Sequence, residues 1–323
     1  MLGWGILGTA RINRRLIPPL QASPRNRLRA VASRDAGRAA AYAREWGIER
    51  AYGSYEELLE DGEIDAVYIP LPNHLHAEWA VRAARAGKHV LCEKPLALTV
   101  AEVDAMAAAA GERGVVLTEA FMYRHHPQTL RVKQLVDEGE IGEPRFVRGS
   151  FSFPLTRPGD VRLDPAMGGG ALWDVGCYPV SFTRFVLGAE PLEVVGHATL
   201  GSTGIDETFV GQMVFPGGVL AQFDCGFRAP YRTQMEIVGG EGRVLIPDPW
   251  VPGAGAPLLV IRGDVRQQVV VDGEDRYRLE IEDLADAALD ARPPRVSLAE
   301  SRGNVATLAA LLDSAREGRP VRP

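Results

Sequence analysis

The chain has 323 residues, a length that suits two domains better than one. Its formal net charge of −6 is spread without long single-sign runs, which excludes a basic nucleic-acid face and a polybasic membrane patch. Hydrophobic residues make up 46 %, enough for a core in each domain, while the longest apolar runs fall far short of a membrane span.

The first third alternates strand and helix patterns. Leu2 to Leu7 is an apolar run ended by Gly8, and its start lacks the basic region of a signal peptide. Ile12, Leu16 and Leu20 recur at helical spacing, with Pro18 and Pro19 expected to distort the last turn. Leu28 to Ser33 reads as a second strand and Asp35 to Trp46 as an alanine-rich helix. Ser54 with Glu57 forms a capping box for a short helix, and Ala66 to Ile69 is a buried strand. His74 to Ala86 is a helix closed by Gly87, followed by a strand at His89 to Cys92. Thr99 with Glu102 caps another helix, and Val115 to Thr118 is one more strand. This alternation predicts a doubly wound parallel sheet, a Rossmann domain over residues 1–123.

The pattern changes from residue 124. A helix around Pro127 to Glu138 precedes an alternating strand from Arg145 to Phe153 and a helix from about Gly170 to Leu187. Strands joined by PGG at Pro216 to Gly218 and GGEG at Gly239 to Gly242 predict a large, mainly antiparallel sheet. Pro247 to Pro257 reads as a loop, and helices near Ile281 to Leu289 and Ala299 to Ala315 close the chain. Residues 124–323 are thus expected to form an α+β domain for substrate and oligomerisation. One sheet face left uncovered by helices would favour a homodimer or homotetramer. Cys92, Cys177 and Cys225 are too few and too scattered for a disulfide framework, and none lies in a C-x-x-C pair. A reducing, cytoplasmic setting is expected.

Gly8-Thr9-Ala10-Arg11-Ile12-Asn13 occupies the place of a G-x-G-x-x-G phosphate loop with only its first glycine kept. Gly8 permits the tight turn, and small Thr9 and Ala10 let backbone N–H groups approach a pyrophosphate at the helix start. Taken alone, the string also suits a plain strand–helix turn. Ser33 and Arg34 stand where an acidic residue usually binds the ribose 2′-OH of NAD. A hydroxyl and a guanidinium suit a 2′-phosphate, and Arg38 can add a second cation, so NADP is expected over NAD. Asp35 nearby keeps an NAD ribose open, as does the reading of Arg34 and Arg38 as a solvated helix start.

Two further strings carry chemistry. Glu93-Lys94-Pro95 follows a strand whose C-terminal end meets the ligand crevice of such a sheet. Asp174 and Tyr178, four residues apart in GGGALWDVGCYP, share one helix face. By themselves a Glu–Lys pair is usually a solvated face and a lone helical tyrosine a core residue. His74, His76, His125 and His126 lack carboxylates or cysteines at ligand spacing, so no metal is expected.

Together with Pro70 to His76 (PLPNHLH) and Glu119 to Arg124 (EAFMYR), these strings resemble the Gfo/Idh/MocA oxidoreductase family along nearly the whole chain. Tyr178, where many members have histidine, resembles the branch holding glucose–fructose oxidoreductase, NADP-dependent D-xylose dehydrogenase and dimeric dihydrodiol dehydrogenase. Ala10 replaces the middle glycine and Asn13 the third small residue of the loop. The resemblance implies Tyr178 as acid/base and Lys94 as its electrostatic partner, with Asp174 orienting substrate hydroxyls or Lys94. It also implies that Leu71, Pro72, Asn73, His76, Glu93, Arg162 and Tyr277 line the dinucleotide, with Arg124 and Trp173 as pocket residues, Trp173 equally suiting the core. The expected reaction is hydride transfer between NADP and a small polyhydroxylated molecule, an aldose at C1. The alternatives are a trans-dihydrodiol dehydrogenase and a non-catalytic dinucleotide sensor.

Overall fold

The computed structural model describes residues 1–323 as two compact units. The first comprises Met1–His125 and Asp275–Arg302, and the second comprises His126–Glu274 and Gly303–Pro323.

The first unit is built on a six-stranded parallel sheet. Its strands are β1 (Leu2–Leu7), β2 (Asn26–Ala32), β3 (Arg50–Tyr52), β4 (Ala66–Ile69), β5 (His89–Glu93) and β6 (Leu117–Ala120). They lie in the order β3-β2-β1-β4-β5-β6, so the winding reverses between β1 and β4. In such sheets ligands bind outside the strand C-termini at that reversal, which here is the Gly8 turn. Every residue of β1 and β4 is buried, as expected for strands covered on both faces. Edge strand β3, three residues long, is too short to carry a period and was not anticipated.

Helices follow the predicted order. Pro18 and Pro19 lie inside α1 (Asn13–Ala22), whose end is tightened by the Ser23 N–H reaching the Leu20 carbonyl at 3.4 Å. Asp35 caps α2 (Ala36–Trp46), and Ser54 caps α3 (Tyr55–Glu60). The reciprocal half of the α3 box goes one residue upstream, because Glu57 accepts from the Gly53 N–H. The predicted helix at His74 divides into a 3₁₀ turn, Asn73–Leu75, and α4 (His76–Arg85). Thr99 and Glu102 form a complete capping box on α5 (Val100–Arg113).

A helix from late in the chain belongs to this unit. In α8 (Arg276–Asp290), Ile281, Leu284 and Ala285 pack into one core with Trp4, Leu16, Ile17 and Tyr68. Burying such side chains contributes roughly 1.5–3 kcal/mol each for the larger ones. Arg25 adds ion pairs to Asp286 and Asp290.

The second unit holds an eight-stranded sheet with β7 (Pro144–Ser152), β8 (Glu193–Leu200), β9 (Asp206–Val214) and β10 (Leu220–Gly226). It continues with β11 (Arg232–Gly239), β12 (Arg243–Ile246), β13 (Ala256–Arg262) and β14 (Val265–Val271). The order is β14-β13-β12-β11-β7-β10-β9-β8, and only the β7–β10 pair is parallel. Phe209, Met213, Phe223, Met235 and Ile237 are buried, while Val210 and Leu220 on the alternate side are exposed. Helices α6 (Pro127–Asp137) and α7 (Cys177–Leu187) pack on this sheet. The last helix, α9 (Leu298–Glu317), contributes Leu311 against Gly196 and Gly211. No helix is long and apolar enough to cross a membrane.

Candidate active site

The turn after β1 is shaped by Gly8, whose φ of +109° lies where side chains are rarely tolerated. Asn13 stands at the third small position and is fully buried. Its Nδ2 donates to the Gly8 carbonyl at 2.9 Å and closes the loop from inside. Thr9, Ala10 and Ile12 are half-buried and Arg11 is exposed. No side chain caps α1 and its first turn holds no acidic residue. The backbone N–H groups and positive dipole end therefore suit an anion, and the residues present fit a dinucleotide pyrophosphate.

At the end of β2, Ser33 is buried and its Oγ accepts the Asp35 N–H at 3.3 Å. Arg34 and Arg38 are exposed. Asp35 accepts the Arg38 N–H at 2.9 Å as the cap of α2, so one carboxylate oxygen is engaged in the helix. Tyr55, not singled out from the sequence, belongs here. Its hydroxyl lies 3.8 Å from where a Gly8 Cβ would stand and is influenced by Arg34 and Arg38. Burial nevertheless raises its pKa, and its ring meets Trp79 edge-on at 4.8 Å. Its sequence context showed only the first turn of α3.

Leu71 is buried, and Pro72 and Asn73 are half-buried, at the loop after β4. His76 is fully buried: Nε2 meets the Leu71 carbonyl at 2.7 Å and Nδ1 the Pro95 carbonyl at 2.8 Å. Burial lowers its pKa although the two carbonyls favour the charged ring. His76 thus ties the loop after β4 to the loop that carries Lys94.

Glu93 ends β5 and Lys94 follows it, and both are half-buried. Glu93 Oε1 accepts from the Tyr68 hydroxyl at 2.5 Å and Oε2 from the Lys94 N–H at 3.2 Å. The resemblance drew Tyr277 from the C-terminal half of the chain, and the structure places it in the first unit at the start of α8. Burial, then the charge of Glu93, raises its pKa. Glu280, one turn on, is 1 % exposed, and burial followed by the Glu93 charge holds its pKa well above the usual carboxylate range. Tyr68 and Glu280 were missed because each reads as part of an ordinary buried strand or helix face. Arg124 is buried and paired with Glu300 at 2.7 Å.

In the second unit a π-helical turn, Leu172–Gly176, runs directly into α7. Such turns are frequent at functional sites. Asp174 lies on the π turn, and Tyr178 sits in the first turn of α7 at 6 % exposure. The Tyr178 ring packs against Phe151 at 5.2 Å and Trp250 at 5.6 Å between centroids. Trp250, from the loop read as Pro247 to Pro257, is fully buried, and its Nε1 donates to the Ser150 carbonyl at 3.1 Å. Asp174 Oδ2 accepts from Arg162 Nε at 2.7 Å, and Asp160 accepts from the same guanidinium at 3.2 Å. The Asp174 charge is the largest cause that raises the Arg162 pKa. Trp173 is buried.

Two family models match this chain. Residues 2–121 match the Gfo/Idh/MocA oxidoreductase family with its NAD-binding Rossmann fold, and residues 129–245 match the Gfo/Idh/MocA C-terminal domain. The chain belongs to the Gfo/Idh/MocA oxidoreductase family, as its motifs led us to expect. It is 40 % identical over 322 residues to the D-xylose 1-dehydrogenase (NADP(+)) 2 of Haloferax volcanii, covering 98 % of both chains. Trans-1,2-dihydrobenzene-1,2-diol dehydrogenase of Danio rerio is 34 % identical over 330 residues, with 98 % of this chain and 96 % of that one covered. A 3-ketoreductase from Actinomadura kijaniata, solved in complex with NADP and TDP-benzene, superposes with a TM-score of 0.92 at 36 % identity and 97 % coverage of both chains.

Proposed function

We propose that this oxidoreductase uses NADP to move a hydride to or from a small polyhydroxylated substrate, an aldose at C1, with Tyr178 as acid/base and Lys94 as its electrostatic partner. The observation that carries the reading is the setting of Tyr178. It is a buried phenol fixed by Phe151 and Trp250, on a helix that begins with a π turn and an Arg162–Asp174 pair. The kinship with an enzyme named as an NADP-dependent D-xylose dehydrogenase supports it.

The turn from Gly8 through Thr9, Ala10, Arg11 and Ile12 would hold the pyrophosphate, and Ser33, Arg34 and Arg38 the 2′-phosphate. Leu71, Pro72, Asn73 and Glu93 would line the cofactor, with Arg162 and Tyr277 as further contacts. His76 would serve by tying the two loops it bridges. When bound, NADP supplies or takes the hydride. Tyr178 takes the hydroxyl proton in oxidation and returns it to the carbonyl oxygen in reduction. A phenol's ordinary pKa is about 10, and an ammonium nearby favours the phenolate.

A second reading, trans-dihydrodiol oxidation, is favoured by the apolar rings of Phe151 and Trp250 against Tyr178, with Phe182 behind Trp250, and by the relative of that name. A screen of D-xylose, other aldoses, polyols and trans-dihydrodiols with NADP and NAD, read by absorbance of the reduced nicotinamide, separates the readings. Aldose turnover with NADP is expected. Turnover confined to dihydrodiols selects the second reading, and tight NADP binding with no turnover of any compound selects a dinucleotide sensor.

Exposed Val210 and Leu220 on the face of the second unit's sheet support self-association of this chain through that face as a dimer or tetramer. Sedimentation showing only a 35.0 kDa species at micromolar concentration would reject it.

A further inference from the structure

Asp206, the first residue of β9, has no place in the reaction described above, yet it is 5 % exposed and carries a carboxyl group. Its Oδ2 accepts the Leu172 N–H at 2.6 Å, and the Ala171 N–H is a further donor to it. Its Oδ1 stands 2.2 Å from where a Cβ on Gly170 would lie, and Gly170 has a φ of +130°. The three consecutive residues 170, 171 and 172 are thus fitted around one carboxylate from another element. The Arg162 side chain bonds Asp160 and Asp174, and its carbonyl accepts the Gly170 N–H at 3.0 Å. The Arg228 guanidinium pairs with Glu207. Asp206 is therefore held by backbone amides.

We propose that Asp206 is a positioning residue for Tyr178: by accepting the first amide hydrogens of the helix, and only as the carboxylate, it sets the register in which the π turn delivers Asp174 and Tyr178. Tyr178 follows Ala171 by seven residues, two turns and about 10 Å along the axis. A carboxylate accepts through both oxygens, whereas a carboxylic acid keeps one full acceptor and adds a donor that meets amide hydrogens. Protonation therefore loosens the first turn and removes a negative charge from beside the start of that helix. Burial pushes the Asp206 carboxyl up to about 7, against the backbone hydrogen bonds that favour its charged form. The titratable group that faces it is the Cys225 thiol on β10, which is itself close to Cys177, Asp174 and Asp224. Glu207, paired with Arg228, follows it on β9.

This inference rests on Tyr178 as the acid/base, and its test separates the two. The protein is labelled with carbon-13 at the tyrosine Cζ and aspartate Cγ positions, and resonances are assigned with Tyr178→Phe and Asp206→Asn. The expected result is a Tyr178 signal that shifts with a midpoint near the Asp206 midpoint of about 7, and that is flat in Asp206→Asn. Turnover of D-xylose with NADP should fall about tenfold in Asp206→Asn at pH 8 and match the unmodified protein at pH 6, since Asn mimics the protonated acid. In a Tyr178→Phe background the substitution should add nothing. An Asp206 carboxyl that titrates below about pH 5 or a Tyr178 signal indifferent to it overturns the proposal, and both are read on the unmodified sequence if the variant fails to fold. Full turnover in Tyr178→Phe instead overturns the acid/base assignment while leaving the Asp206–Tyr178 coupling to be read by the resonances.

Discussion

Two helix starts in this molecule follow opposite rules. The start of α1 has a glycine at φ +109°, no capping side chain and no acidic residue in its first turn. The start at Leu172 also follows a positive-φ glycine, Gly170, but a buried carboxylate from β9 accepts its amides. Unsatisfied N–H groups and the positive end of the helix dipole attract negative charge at both of these starts. In the first unit no side chain supplies that charge; in the second Asp206 does. If, as proposed, the open start serves binding and the filled start places side chains downstream, substitutions at the two should fail differently.

The largest effect is expected downstream of the filled start. Tyr178→Phe keeps the ring in its cluster with Phe151 and Trp250 and removes the transferable proton. Turnover should fall by roughly 10²–10⁴ with NADP affinity little changed. Lys94→Met should also lower turnover and move the pH optimum upward, because the phenolate loses its cation. Near-native turnover in Tyr178→Phe, measured where chemistry limits the rate, would remove Tyr178 from the mechanism.

Next comes stability against pH, which the filled start alone should perturb. Burial raises the Asp206 carboxyl from an unfolded value of 3.8 to about 7. The folded state then binds the proton more tightly than the unfolded state, so this contribution is full below pH 3.8 and is lost as pH rises through about 7. About three units correspond to roughly 4 kcal/mol at most. The urea midpoint should drop between pH 5 and pH 8 in the unmodified protein and drop less in Asp206→Asn. Parallel declines in the two proteins would show that Asp206 does not titrate in that window. Stability would here be exchanged for placement of a catalytic group, a common trade at functional sites.

The two glycines give the direct contrast. Alanine at Gly170 forces a Cβ to 2.2 Å from Asp206 Oδ1 at a φ of +130°. Strain of about 1–3 kcal/mol is expected from the backbone alone, a loss of several degrees in Tm. Alanine at Gly8 meets Leu71 Cδ2, the end of a flexible side chain, at 3.1 Å. It should weaken NADP binding more than it lowers Tm. Equal ratios of the two losses in both variants would erase the distinction between the open and the filled start.

The sequence showed the open start and hid the filled one, for a physical reason. Gly8 follows an apolar run and precedes helical spacing, so a local pattern marks the turn. The carboxylate that fills the other start lies 34 residues beyond Leu172, and nothing local to GGGALWD points to Asp206. The π turn was likewise invisible: Asp174 and Tyr178 share a face at a spacing of four in either helical form. Partners brought together by the sheet, such as Trp250 with Tyr178, follow from tertiary packing alone. Helix α8 was legible as a helix but not as part of the first unit, because an apolar stripe does not say which sheet it covers. The motif strings, by contrast, pointed to the family from a few short segments.

The smallest effect should fall at the edge of the open start. Ser33 is 5 % exposed at the end of β2, and its Oγ already accepts the Asp35 N–H. Asp35, the one carboxylate in that corner, has its Oδ1 engaged as the cap of α2. Ser33→Asp places a second carboxylate there. It repels a 2′-phosphate and accepts from a 2′-hydroxyl, while Arg34 and Arg38 stay in place to offset part of the repulsion. NADP affinity should fall and NAD affinity rise, each by about tenfold or roughly 1.4 kcal/mol. Binding titrations with both dinucleotides decide it. Because the change lies at the end of β2 and not at the helix start that carries Tyr178, turnover at saturating cofactor should hold within about twofold. Equal affinity of the unmodified protein for NAD and NADP would show that Ser33 and Arg34 do not read the 2′ position.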